Sequence, residues 1–119
     1  MSRAALRIGG QRWRVQLVPR TDTRMQEEDG TTLDGYTIPE ECVILIADDL
    51  CLEAREETLV HELDHAVNIV SGAKHEMGLR YRGEKQRSEH EERIVRARTP
   101  VWHRLLKDLR FRFPKGLVR

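Results

Sequence analysis

The stretch that most constrains this chain is Thr58 to Asn68, TLVHELDHAVN. It lies in a run from Glu53 to Ser71 that contains neither Pro nor Gly. Leu52, Leu59, Leu63, Ala66, Val67 and Val70 recur at helical spacing, so the periodicity predicts one amphipathic helix that stops at Gly72. His61 and His65 are then one turn apart on a single face, with Glu62 at its edge.

Two neutral imidazoles on one face can reach a single metal ion, and an adjacent carboxylate can serve as general base. With 5 His and 13 Glu in 119 residues, an H-E-x-x-H arises by accident in roughly two chains per hundred, so context decides. The context is the helical periodicity and, just upstream, the apolar β-branched run Cys42 to Ala47, which reads as a buried strand.

A zinc site that does hydrolysis uses three protein ligands and leaves one position open. The longer pattern H-E-x-x-H-x-x-G-x-x-H is excluded, because Asn68 and Ser71 stand where it needs Gly and His. The remaining candidates are His75, Glu76, Glu84, Glu89, His90, Glu91, Glu92 and His103. A ligand needs rigid support, which disfavours His75 and Glu76 in the loop after Gly72. Ser88 with Glu91 forms a capping-box pattern for a second helix running through Ile94 and Val95 to about Arg98. On it, Glu91 shares the apolar side with Ile94 and Val95, Glu92 is offset by about 100°, and His90 is four residues before Ile94. The order of preference for the third ligand is therefore Glu91, then Glu92, then His90 and Glu89. The competing reading of this cluster is a solvated helix start favoured by the helix dipole.

Elsewhere, Ala5 to Val18 reads as a hairpin turning at Gly9-Gly10. Residues 20–35 form a polar loop, and Gly35 to Ile38 extends briefly before Pro39. Asp48 or Asp49 is placed to cap the motif helix, and Glu53, Glu56 and Glu57 favour its first turns. Thr99-Pro100 reads as a fresh cap and first-turn proline, giving a third helix or a kinked continuation. Its buried side is expected to carry Val101, Trp102, Leu105, Leu106 and Leu109, and a basic tail follows at about 111–119. Strands first and helices after predict an α+β fold in a single domain, 1–119.

Charge excludes little. The chain is 34% charged with a net charge of +1, which gives no global bias toward nucleic acid or anionic membrane. No apolar run has the length of a membrane span, and the N-terminus lacks a signal-peptide core, so a cytoplasmic location is expected. Residues 21–64 hold 14 acids against Arg24 and Arg55, whereas both termini are basic. Few aromatics interleave with those termini, so a nucleic-acid partner is disfavoured. Cys42 and Cys51 lack a metal-ligand spacing and are read as small buried apolar residues.

The succession of CVILIA, a short acidic linker, ETLVHELDHAVN and a Glu-led helix EERIV resembles the small gluzincin-type metallopeptidases, especially the compact HExxH proteins of phages and other mobile elements. It is also similar to the ImmA/IrrE-type peptidase domain, over about residues 40–110. The resemblance implies a compact zincin-like half-domain, with a small twisted sheet packed on the HExxH helix and one or two further helices behind. It implies Zn2+ on His61, His65 and a Glu of the second helix, with Glu62 as general base. The implied activity is hydrolysis of peptide bonds by a metal-activated water, on a peptide or protein substrate held along an edge strand. Asp64 departs from the neutral residue more usual there. It is a candidate to orient a ligand or simply to face solvent. Tyr36, Tyr81, His75, His103 or an Arg would have to stabilise the carbonyl oxygen. The small size also admits a non-catalytic zinc-binding interaction protein of a phage or mobile element, or a nucleic-acid accessory protein using the basic termini. The tail RFRFPKGLVR is a candidate to lie over the acidic middle and inhibit it.

Overall fold

The computed structural model describes residues 3–72, 83–109 and 112. Strand β1 (Arg3–Ile8) and strand β2 (Gln11–Val18) form the expected antiparallel hairpin, with Leu6 opposite Trp13. Gly9 and Gly10 both have positive φ, 57° and 86°, which is what a two-residue hairpin turn requires. A single 3₁₀ turn, Thr23–Met25, interrupts the polar loop, and strand β3 (Gly35–Ile38) then pairs antiparallel with strand β4 (Val43–Ala47). Because β4 also pairs parallel with β2, the sheet order is β1-β2-β4-β3 and β3 is an edge.

Every residue of β4 is buried, as its unbroken apolar sequence demands. Its alternation divides the core in two. Ile44 and Ile46 join Trp13, Val15 and Leu17 against Leu59, Val60 and Ala66 of the motif helix. Val43, Leu45 and Ala47 face the other way, onto Val18 and Met25, with Leu33 and Ile38 packed at the margin. Arg20 fixes the loop that covers this second face. Its guanidinium binds Asp49 at 2.7 Å and Asp34 at 2.7 Å, and donates to Thr32 Oγ1 and to the Leu33 carbonyl. The exposed arginines Arg7 and Arg12 stand opposite each other on β1 and β2. Charge of this kind discourages further strand pairing at an edge.

The motif helix, α1, spans Leu52–Val70 and ends, as expected, with Gly72 at a positive φ of 81°. Its start differs from expectation. Cys51 is the N-cap residue and makes no side-chain cap bond, while Asp49 is taken up by Arg20. Cys51 is exposed and Cys42 half-buried, so the reading of both cysteines as core residues fails for Cys51.

The second helix, α2, spans Gly83–Asp108 without a break. It begins before Ser88, and it continues through Pro100 rather than restarting there. Proline removes one helical N–H bond, and the Thr99 hydroxyl donates to the Val95 carbonyl at 2.8 Å beside that gap. Because the register is kept, the buried stripe runs at four-residue intervals through Glu91, Val95, Thr99 and His103. The residues expected on the buried side of a third helix are consequently displaced to the surface. Val101 is 67% exposed and Leu109 70%, and Trp102 and Leu105 are also exposed, while Leu106 alone packs against the core. The α+β class is as expected: a four-stranded mixed sheet and two helices. Among the described residues no helix is long and apolar enough to cross a membrane.

Candidate metal centre

α1 places His61 and His65 one turn apart with ring centroids 4.9 Å from each other. Their Nε2 atoms are 3.2 Å apart. Glu92 of α2 closes the triangle, with one oxygen 3.2 Å from His61 Nε2 and the other 2.7 Å from His65 Nε2. Among the described residues, His61, His65 and Glu92 form the group whose donor atoms converge as metal ligands would. Donors bound at about 2.0–2.1 Å in tetrahedral array lie about 3.3 Å apart, so the two 3.2 Å spacings match a metal's donors, and the 2.7 Å spacing from Glu92 to His65 would open by about 0.6 Å on binding.

The far sides of both rings strengthen that fit. His65 Nδ1 donates to Glu91 Oε1 at 2.6 Å, and Glu91 Oε2 accepts from Asn68 Nδ2 at 3.4 Å. His61 Nδ1 lies 3.4 Å from the Thr99 hydroxyl, whose proton is already committed to the Val95 carbonyl. In both rings Nδ1 is engaged behind and Nε2 is turned toward Glu92, the orientation in which Nε2 can reach a metal once its proton is displaced.

This arrangement reverses the preference for Glu91 over Glu92. Glu91 does lie on the buried stripe, 2% exposed, but that stripe faces the seam between the helices and meets His65 from behind. The Nε2 atoms point to the flank, where the next residue, Glu92, projects. His90 and Glu89 are not part of the convergent group. His75 and Glu76 lie outside the described residues, as do Tyr81 and the side chain of Glu84. Of the tail 111–119, only Arg112 is described.

Glu62 is buried, 7% exposed. Its Oε1 accepts from the Thr37 hydroxyl of β3 at 2.8 Å, and its Oε2 is 3.9 Å from His61 Nε2. Burial raises the Glu62 pKa above the usual carboxylate value, against the opposing pull of Thr37 and the two histidines. Burial also works to lower His65, but the hydrogen bonds it donates to Glu91 and Glu92 prevail and push it up to about 10. Glu92 is held far below the usual carboxylate range by hydrogen bonds from His61 and His65. In the metal-free protein, His65 therefore carries a proton on Nε2 that competes with a metal for the same lone pair.

Asp64 does not face solvent. Arg98 of α2 grips it with two bonds of 3.0 and 2.8 Å and also donates to Asn68 Oδ1 at 3.3 Å. The pair ties the helices together near the histidines. With the Arg98 side chain 42% exposed, it contributes about 1 kcal/mol or less. His103, a candidate for the carbonyl oxygen, is buried beside Glu56 at 3.4 Å. Tyr36 remains exposed on β3.

The cluster opens into a cleft of about 920 Å³ walled by β3 on one side and by both helices on the others. Among the described residues, Glu27, Asp34, Glu40 and Glu57 line it against one guanidinium, Arg96. The residues that sequence reasoning did not single out are Thr37, Thr99, Glu91's partner Asn68, and Arg98. Each acts across elements distant in sequence, and none carries a local signal. In comparisons with known proteins, no family model, no curated protein and no solved structure matches the chain.

Proposed function

We propose that the chain is a zinc-dependent metallopeptidase, with His61, His65 and Glu92 as metal ligands and Glu62 as general base. The observation that carries this reading is the orientation of the two imidazoles. Both turn Nε2 to a common carboxylate, with Nδ1 engaged behind, and a buried glutamate stands at the edge of the same open cleft. A fully solvated helix face would have no reason to orient four side chains in this way.

Zinc bound there would supply a Lewis acid for the substrate carbonyl and bring the pKa of a water toward neutrality. The protein supplies the rest. Glu62 takes a proton from the attacking water as its oxygen bonds to the carbonyl carbon, and returns that proton to the amine nitrogen as the C–N bond breaks. β3 is the sheet edge beside the cleft, and an extended peptide added along it would lie across the reacting groups.

The test is a peptide-library cleavage assay with and without chelator, on the native protein and on Glu62→Gln. Native protein should bind one zinc per chain and cleave in a chelator-sensitive way, and the variant should keep zinc and lose cleavage. Full activity in Glu62→Gln would remove the base assignment. Stoichiometric zinc with no cleavage by native protein would favour the non-catalytic zinc-binding reading instead.

A further inference from the structure

We infer that Thr37 is a positioning residue for Glu62, and that β3 carries Gly35 so that it can reach it. The inference rests on the peptidase reading and goes beyond it by assigning to the edge strand control over the base. A buried carboxylate needs a partner to fix its plane. Glu62 has it in the Thr37 hydroxyl, 2.8 Å from Oε1 and 3.2 Å from the Glu62 backbone carbonyl. With Oε1 held on the strand side, Oε2 is the oxygen left toward His61, at 3.9 Å.

Gly35 explains how a strand comes so near to a helix. Residues 35 and 37 share one face of β3. A Cβ at Gly35 would stand 2.6 Å from Thr58 Cγ2, 2.9 Å from Glu62 Cγ and 3.3 Å from Glu62 Oε2. Any side chain there pushes the strand from α1 and stretches the Thr37 bond. Among the described residues, no strand pairs with the outer edge of β3. A peptide added to that edge would therefore dock on the same short strand that sets the plane of the base, so binding and base orientation are coupled through four residues, Gly35–Ile38.

The test compares Thr37→Val and Thr37→Ser with native protein. Thr37→Val should lower kcat by about 10- to 100-fold, the scale of losing an outer partner at such sites. KM should stay within about twofold and zinc content unchanged, because neither a ligand nor the backbone edge is altered. Thr37→Ser, which keeps the hydroxyl, should restore most of the rate. A crystal structure of zinc-loaded Thr37→Val should show the Glu62 carboxylate rotated from its place. The inference is overturned if Thr37→Val keeps native kcat, if its carboxylate is unmoved, or if Thr37→Ser is as impaired as Thr37→Val. The last result would assign the loss to methyl packing. If native protein cleaves nothing, the peptidase reading falls and this inference with it. An active native protein with an undiminished valine variant sinks the inference alone.

Discussion

Adjacent glutamates with different tasks give the sharpest prediction. Glu92 touches both Nε2 atoms, at 3.2 and 2.7 Å, whereas Glu91 meets His65 at its rear nitrogen, at 2.6 Å. If Glu92 is the ligand, Glu92→Ala leaves two imidazoles where three donors are needed. Its side chain is 34% exposed, so truncation opens no buried hole. Glu91 is deeply buried, so Glu91→Gln is the fair comparison. It preserves shape and can still accept from Nδ1, but loses the charge that makes the ring a better donor. Removing an outer partner costs about 10- to 100-fold in metal affinity, or about 1.4–2.8 kcal/mol. Glu92→Ala should therefore lose more than about 100-fold, and Glu91→Gln should fall within that range. Competition of zinc against a chromophoric chelator at fixed pH measures both, with metal content after dialysis as a second reading. A Glu92→Ala protein that binds zinc like the native chain, or a Glu91→Gln protein that binds it worse than Glu92→Ala, would refute the assignment.

Two further outcomes are expected. Without metal, the folded-state pKa of His65 lies above its ordinary value of 6.5, at about 10. The stability it contributes is then whole below pH 6.5 and is lost as pH rises through about 10. Urea midpoints of chelator-treated protein should fall across that window, while zinc affinity rises as the competing proton leaves. A flat midpoint would contradict the His65 ion pairs. Gly35→Ala should destabilise the fold by about 1–3 kcal/mol in urea unfolding, the usual scale of overpacking, because the new methyl meets Thr58 and Glu62. An unchanged midpoint would mean that β3 shifts away freely.

Much of the fold was legible because its signals are local. Gly9-Gly10 between alternating strands, an unbroken apolar run in β4 and a helix free of Pro and Gly each declare themselves within a few residues. α2 was harder. Ser88 with Glu91 imitates a helix start, and Thr99-Pro100 imitates another, yet both lie inside one helix. Which side of α2 is buried depends on its register against α1, and that is why Val101, Trp102, Leu105 and Leu109 were misplaced. The same problem bears on Glu91 and Glu92: the stripe picks Glu91, whereas the donor group converging on the two Nε2 atoms includes Glu92. Burial and ligand geometry choose adjacent positions, and an apolar stripe reports only burial. Thr37, Asn68, Thr99 and Arg98 meet their partners across separate elements, and a threonine in a strand or before a proline has ordinary local explanations.

The seam between α1 and α2 has a further consequence. Along α2 the buried stripe is Glu91, Val95, Thr99 and His103, a single aliphatic residue among polar ones. It is joined to α1 by ion pairs and hydrogen bonds from Glu91, Arg98, His103 and Lys107. With Val95 buried and Leu106 packed at the core's margin, polar contacts make up much of this joint. If local unfolding began at this joint, α2 would separate from α1 before the sheet opened. Since Glu92 stands on α2 and both histidines on α1, such an opening would also take the candidate centre apart. A metal gripping both helices would act on that joint directly, tying α2 to α1 through the three side chains.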